Sequence, residues 1–260
     1  MPEQDDSVVT PADHLLAASI ATEAGALLVA LRAQLVASGV ETDELRDQGD
    51  RQAHLLIMDR LADRLAAGDA VLSEEGRDDP VRLGANRVWI VDPLDGTREF
   101  GEPPRTDWAV HVALVIGGDP VAGAVALPAL DLTLGTWPAP VLPPAPRGAP
   151  RVIVSRSRPP AAATWLAEQL GGQLVEMGSA GAKAMAVVRG EADVYAHSGG
   201  QYEWDSCAPA AVARAAGLHV SRLDGSPMIY NNADPYLPDL LMCRPELAEA
   251  ALAVLAGFEG

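Results

Sequence analysis

At 260 residues and 27.1 kDa the chain can bury a sizeable core in one large domain or two small ones, and with 48% hydrophobic but only 4% aromatic residues that core must be built from Ala, Val and Leu. Its formal charge of −17 repels nucleic acid polymers and anionic membrane surfaces, so neither is an expected partner. Two cysteines, Cys207 and Cys243, exclude a disulfide framework and a structural zinc site.

The first residues, Met-Pro-Glu-Gln-Asp-Asp-Ser, are acidic where a secretion signal is basic. Residues 11–37 carry Leu15, Leu16, Ile20, Leu27, Leu28, Leu31 and Leu35 at helical spacing, entered through Thr10-Pro11. Thr22, Glu23, Arg32 and Gln34 interrupt this stretch, which argues against a membrane span and makes a cytoplasmic enzyme the expectation. A second helix fits residues 50–66. The period then changes: Ala70-Val71-Leu72 is strand-like and ends in Ser73-Glu74-Glu75-Gly76. Residues 88–91, 108–116, 121–127 and 132–137 read as strands, with a hairpin turn at Gly117-Gly118-Asp119-Pro120. This is an α+β half.

From Trp137 to Pro150 the composition breaks sharply, with six prolines that favour an extended connector or surface loop. Beyond it, strand 152–154, helix 161–170, strand 173–176, helix 183–189, strand 193–196 and helix 207–216 alternate as in a layered α/β half. The expected division is an N-terminal half, 1–138, a connector, 139–150, and a C-terminal half, 151–260. Periodicity leaves the order of layers open.

The chemistry concentrates in Trp89-Ile-Val-Asp-Pro-Leu-Asp-Gly-Thr-Arg-Glu-Phe100. A short apolar strand leads into Asp92 and Asp95, so two carboxylates and the Leu94 carbonyl share a tight loop that can grip a hard cation, and the N–H groups of Gly96 and Thr97 stand beside it to receive a phosphate. The same residues also suit a turn at Pro93 and Asp95-Gly96 followed by a helix cap at Thr97. Leu-Asp-Gly recurs at residues 223–225 without metal-like company, so context must decide. Glu74 and Glu75 end another apolar segment, and Asp205 stands where the helix 207–216 would be capped. An acidic cluster that binds an anion needs a cation to invert its sign.

These segments resemble the lithium-sensitive, magnesium-dependent phosphomonoesterase superfamily, which includes inositol monophosphatases, fructose 1,6-bisphosphatases and 3′(2′),5′-bisphosphate nucleotidases. Residues 89–100 and Trp204-Asp-Ser-Cys-Ala-Pro-Ala-Ala-Val-Ala-Arg-Ala-Ala-Gly217 match its two signatures, and the likeness covers most of the chain. Val154-Ser-Arg-Ser-Arg158, Gly178-Ser179 with Lys183, and the segment 222–239 look most like CysQ-type nucleotidases of the actinobacterial kind. Two positions depart from the wider pattern: Arg158 stands where many relatives have His, and Lys183 lies one residue further from Gly178.

The resemblance implies a five-layer αβαβα sandwich with its site between the halves. It implies two or three Mg²⁺ ions held by Glu74, Asp92, the Leu94 carbonyl, Asp95 and Asp205. Asp50, Glu74 and Thr97 would be catalytic, with Thr97 and Asp50 orienting the attacking water, although Asp50 could equally cap its helix. Gly96 and Thr97 would hold the phosphate, and Lys183, the chain's single lysine, the second phosphate of a nucleotide, with Ser155, Arg156 and Tyr230 near the adenosine. His111 and His197 read as structural. The activity implied is removal of the 3′-phosphate of 3′-phosphoadenosine 5′-phosphate, or of its sulfated form, linked to sulfate assimilation. Two alternatives stay open: a broad inositol or sugar monophosphatase, and an inactive metal- and nucleotide-binding protein. The resemblance leaves room for a homodimer.

Overall fold

The structure, a computed structural model, describes residues 8–258; the acidic segment 1–7, read above against a secretion signal, lies outside the described residues. Helices α1 (Pro11–Ser38) and α2 (Thr42–Ala66) open the chain. α1 starts where Thr10-Pro11 predicts: Pro11 needs no N–H in a first turn, and Asp13 accepts both the N–H and the hydroxyl of Thr10 at 2.8 Å. By length and composition α1 could cross a membrane, yet Ala17, Ile20, Ala21, Ala24 and Leu28 are wholly buried in the core. α2 begins at Thr42, not Asp50, with Asp43 and Glu44 in the first turn where acids suit the helix dipole. Asp50 therefore lies in a helix interior and caps nothing.

Strands β1 (Ala70–Ser73), β2 (Arg87–Asp95), β3 (Ala109–Ile116), β4 (Asp119–Leu127) and β5 (Leu132–Gly135) form one sheet in chain order, β1 parallel to β2 and the rest antiparallel. The single turn α3 (Thr97–Phe100) follows β2. Trp89, Val91, Val110, Val112 and Leu114 face α1 and α2, while Val88, Ile90, Ala113 and Val125 face the opposite side. Burial on both faces explains why these strands read as continuous apolar runs. The β3–β4 turn is shorter than expected, since Asp119 and Pro120 already belong to β4.

The second half runs β6 (Arg151–Ser155), α4 (Ala161–Gln169), β7 (Gln173–Met177), α5 (Ala180–Val188), β8 (Val194–Tyr202), α6 (Glu203–Ala215), β9 (His219–Ser221), β10 (Tyr236–Cys243) and α7 (Ala248–Leu255). Its mixed sheet has the order β7-β6-β8-β10-β9. Met185 and Val187 of α5 and Ala210 of α6 share one core cluster with Ile90 and Val125 of the first sheet and Tyr195 and Met242 of the second. The outer face of the second sheet buries Val152, Val154 and Leu241 against Ala163 and Leu166 of α4 and Ala251 of α7. The layers are thus α1–α2, sheet, α5–α6, sheet, α4–α7, the expected five-layer αβαβα sandwich. β9, β10 and α7 are additions to the expected elements.

Asp13 also anchors α1 to the first sheet. Its carboxylate, 1% exposed, takes Arg87 at 2.6 Å and Arg64 at 3.4 Å. Burial raises its pKa, but the Thr10 N–H and hydroxyl and the Arg87 charge outweigh that and hold it below 3.8. A depressed folded value means the stabilisation is present above the unfolded pKa and lost as pH falls through the folded one. Asp13→Ala is expected to cost about 3 kcal/mol near pH 7 as a broken buried pair, and urea unfolding should find that difference from wild type shrinking below pH 4.

Candidate active site

β2 carries the two central acids to the end of the first sheet, where its register against β3 is irregular between Asp92 and Asp95. The Leu94 N–H donates to Asp92 Oδ1 at 3.0 Å, which fixes that carboxylate inside the loop. Asp205 approaches from the other half. α6 starts at Glu203, so Asp205 is its third residue and not the N-cap, and its Oδ2 accepts the Tyr202 N–H at 2.7 Å. One oxygen each from Asp92, Asp95 and Asp205 falls within 4.8 Å of the others. Glu74 follows β1, and its N–H donates to Val91 O at 3.3 Å, beside Asp92.

This crowding is electrostatically expensive. Burial, then the charges of Glu74, Asp95 and Asp205, push Asp92 well above the usual carboxylate range. Burial and Asp95 push Asp205 up to about 6. Glu74 moves the same way through enclosure by the protein and through Asp205 and Asp95, tempered by water because its side chain is exposed. An all-oxygen, mutually repelling donor set is what a hard divalent cation relieves, so these residues fit the metal that the resemblance implies.

Asp95 behaves oppositely. The first turn of α5 docks on it: the Ser179 hydroxyl and the Gly181 N–H donate to Oδ2, the latter at 2.6 Å, and the Ala180 N–H donates to Oδ1 at 3.0 Å. Burial would raise its pKa, but His111, Lys183 and Ser179 overcome this and bring it to about 2. His111 Nδ1–H donates to Trp204 O at 3.0 Å, and Nε2 lies 3.2 Å from Asp95 Oδ2, close enough for ion pairing though not aligned as a hydrogen bond. Asp95 thereby ties β2 and β3 of one half to α5 and α6 of the other.

Next to the acids, Gly96 takes φ +86°, a left-handed conformation that glycine adopts without strain, and opens α3. This delivers the Thr97 hydroxyl to 3.2 Å from Asp50 Oδ1 and 3.0 Å from Leu94 O, two acceptors competing for one proton. Burial, then the charges of Glu75 and Glu74, push Asp50 up to about 7. A carboxylate poised there can take a proton near neutral pH.

Asp95, Gly96 and Asp205 open into a cleft of about 320 Å³ shared with Ser155, Lys183 and Tyr202. Lys183 is only 5% exposed; its Nζ donates to Ser179 O at 2.6 Å and sits 5.4 Å from the Tyr195 ring centre, so it supports the α5 turn as well as charging the cleft. Arg156 is exposed, with Nη2 donating to Asp107 Oδ2 at 2.8 Å, and Asp107 also accepts the Gly178 N–H at 2.6 Å. Tyr230 is not at the cleft: it is buried in the central cluster with its hydroxyl 3.2 Å from Ser206 Oγ, so a place beside the adenosine is corrected. Sequence reasoning leaves out Tyr202, which lines the cleft, and Asp107, which holds Gly178; Ser179, named with the nucleotide-side motif, and His111, read as structural, both meet Asp95. His111, polar in an apolar strand, carried the clearest signal.

The profile of the inositol monophosphatase family matches residues 6–138 and 152–256, stepping over the Pro-rich segment. The chain belongs to the inositol monophosphatase family. Members of this family depend on metal, generally Mg²⁺, in keeping with the acidic cluster described. The chain is 52% identical over 243 residues to the 3′-phosphoadenosine 5′-phosphate phosphatase of Mycobacterium tuberculosis, covering 90% of each chain. It is 35% identical to the 3′(2′),5′-bisphosphate nucleotidase CysQ of Escherichia coli K12, covering 72% of this chain and 80% of that one. Among solved structures, CysQ from Bacteroides thetaiotaomicron, described as a bacterial member of this family, superposes with TM-score 0.76 at 27% identity over 90% of this chain and 97% of that one.

Proposed function

We propose that the chain is a Mg²⁺-dependent 3′(2′),5′-bisphosphate nucleotidase that removes the 3′-phosphate of 3′-phosphoadenosine 5′-phosphate, giving AMP and phosphate, in the cytoplasm and in connection with sulfate assimilation. The observation that carries the reading is the Asp92, Asp95, Asp205 cluster in a chain half identical to phosphatases named for that substrate. Glu74, Asp92, the Leu94 carbonyl, Asp95 and Asp205 hold two or three ions, most of them from the half 1–138 and Asp205 from the half 151–260, joined by the connector 139–150. Cations held there supply positive charge to the reacting phosphate and acidify a water.

The chain's own groups do the rest. Asp50 accepts the proton of the attacking water, and the Thr97 hydroxyl orients that water, its own proton shared between Asp50 and Leu94 O. Gly96 and Thr97 N–H groups hold the phosphate. Lys183 and Ser155 face the cleft that would take the second phosphate, and Arg156, exposed and paired with Asp107, would reach it from outside that lining. A chain with net charge −17 is suited to a small nucleotide whose charge is met locally.

The test is a substrate panel with and without Mg²⁺. Adenosine 3′,5′-bisphosphate is expected to be hydrolysed at least about tenfold faster in kcat/KM than inositol 1-phosphate, since one charge-assisted contact to a second phosphate contributes about 1.5–3 kcal/mol, and EDTA should abolish both activities. Equal rates on the two substrates would favour a broad monophosphatase, and no turnover of either would favour an inactive binding protein.

A further inference from the structure

At the rim of the cleft Tyr202 meets two further aromatic rings, Trp204 and Tyr236. Tyr202 lies one helical turn before Asp205, whose carboxylate its backbone N–H meets at 2.7 Å. Its ring stacks on Trp204 with centroids 4.7 Å apart and planes 11° from parallel, and meets Tyr236 edge to face at 6.2 Å. Trp204 fixes the Tyr202 ring from one side, yet Tyr202 and Tyr236 each keep 47% of their surface exposed. Aromatic surface is thereby left open at the mouth of a polar cleft. The backbone is shaped around it: Gly200 has φ +86°, and a Cβ there would fall 2.2 Å from the Tyr236 hydroxyl, so no larger residue lets Tyr236 lie where it does. Beside Tyr202, Gln201 also lines the cleft, 9% exposed, and among the described residues neither its amide oxygen nor its amide nitrogen has a hydrogen-bond partner. Buried polar groups without a partner in the protein are rare and mark a place where one arrives.

We infer that this rim is a base-binding platform: Tyr202, backed by Trp204 and flanked by Tyr236, stacks on the purine base of a nucleotide whose phosphate ester lies at the Asp92–Asp95–Asp205 cluster. A purine offers a flat π-face for the exposed ring and a donor-and-acceptor edge for a neighbouring carboxamide. The inference rests on the nucleotidase reading for where the phosphate sits. It adds what holds the other end of the substrate, and why a bisphosphorylated nucleoside is preferred over a polyol phosphate.

Calorimetric titration with AMP and with ribose 5-phosphate, each in the presence of Mg²⁺, isolates the base. Stacking on an aromatic side chain is worth about 1–3 kcal/mol, roughly 5- to 150-fold in Kd. AMP is therefore expected to bind wild type at least about fivefold more tightly than ribose 5-phosphate. That margin should vanish in Tyr202→Ala and persist in Tyr202→Phe, which keeps the ring. In turnover of adenosine 3′,5′-bisphosphate, Tyr202→Ala should raise KM by a similar factor and Tyr202→Phe should leave KM near wild type. If AMP and ribose 5-phosphate bind wild type equally, or if Tyr202→Ala keeps the margin, the platform is refuted. The nucleotidase reading fails separately, by wild-type indifference between the bisphosphate and inositol 1-phosphate in turnover.

Discussion

Asp92→Asn is expected to lose about a thousandfold in kcat/KM, some 4 kcal/mol at 1.36 kcal/mol per decade, while the metal-free protein unfolds at a temperature no lower than wild type. The carboxamide keeps the shape of the side chain and the acceptor for the Leu94 N–H. What it removes is a charge buried at 1% exposure among three other acids, and burying a charge without a counter-ion is unfavourable. Activity and apo-stability therefore move in opposite directions, which distinguishes a metal ligand from a structural residue. A second readout needs no turnover. A cation that binds only the folded state stabilises it by RT ln(1 + [L]/Kd), so Mg²⁺ should raise the wild-type melting temperature and raise that of Asp92→Asn far less. Full activity in the variant, or an undiminished Mg²⁺ shift, would remove Asp92 from the centre of the site.

Asp92 and Asp95 were readable from sequence because the strand, the loop and the helix start that present them are contiguous, and local apolar patterning ends at the point where the acids begin. The clasp on Asp95 was not. Its three donors come from residues 84 to 86 positions away, and no pattern within β2 indicates that α5 begins at Ala180, before the apolar run that suggested Lys183. In that earlier turn Lys183 is buried and its ammonium closes on Ser179 O, a contact set by where α5 begins. Asp205 has the expected neighbourhood but a different helix position, because α6 starts at Glu203, whose buried carboxylate accepts the N–H groups of Asn231 and Asn232, contacts that sequence distance conceals. β10 escaped notice for a local reason: Pro238 and Asp239 break its alternation, and Asp239 is neutralised by Arg222 only in the fold. Tyr230 illustrates the reverse error, a polar aromatic near the expected substrate segment that the packing of α6 on the first sheet absorbs into the core.

Asp50→Asn and Thr97→Val are each expected to lower kcat by about 10²- to 10⁴-fold, the range for a positioned general base, with KM within a few-fold of wild type because neither group is assigned to the substrate's remote end. The two side chains share one proton position, the Thr97 hydroxyl lying 3.2 Å from Asp50 Oδ1. Groups that act as a unit are not additive, so the double variant should be no more than about threefold worse than the poorer single variant. The pH profile supplies the sign. Asp50 is raised to about 7 by burial and by Glu75 and Glu74, so its basic form is lost as pH falls through that value, and the wild-type rate should decline on the acid side. Positive charge held beside Glu74 weakens one of those causes, so the acid limb should move to lower pH as Mg²⁺ is raised. Asp50→Asn should erase the limb, leaving a low rate that is flat across the same range, whereas Thr97→Ser should restore most of the rate lost in Thr97→Val. Additive losses in the double variant, or an acid limb that survives in Asp50→Asn, would mean that another group takes the proton and that Asp50 serves only to hold α2 against the loop of Leu94 and Thr97.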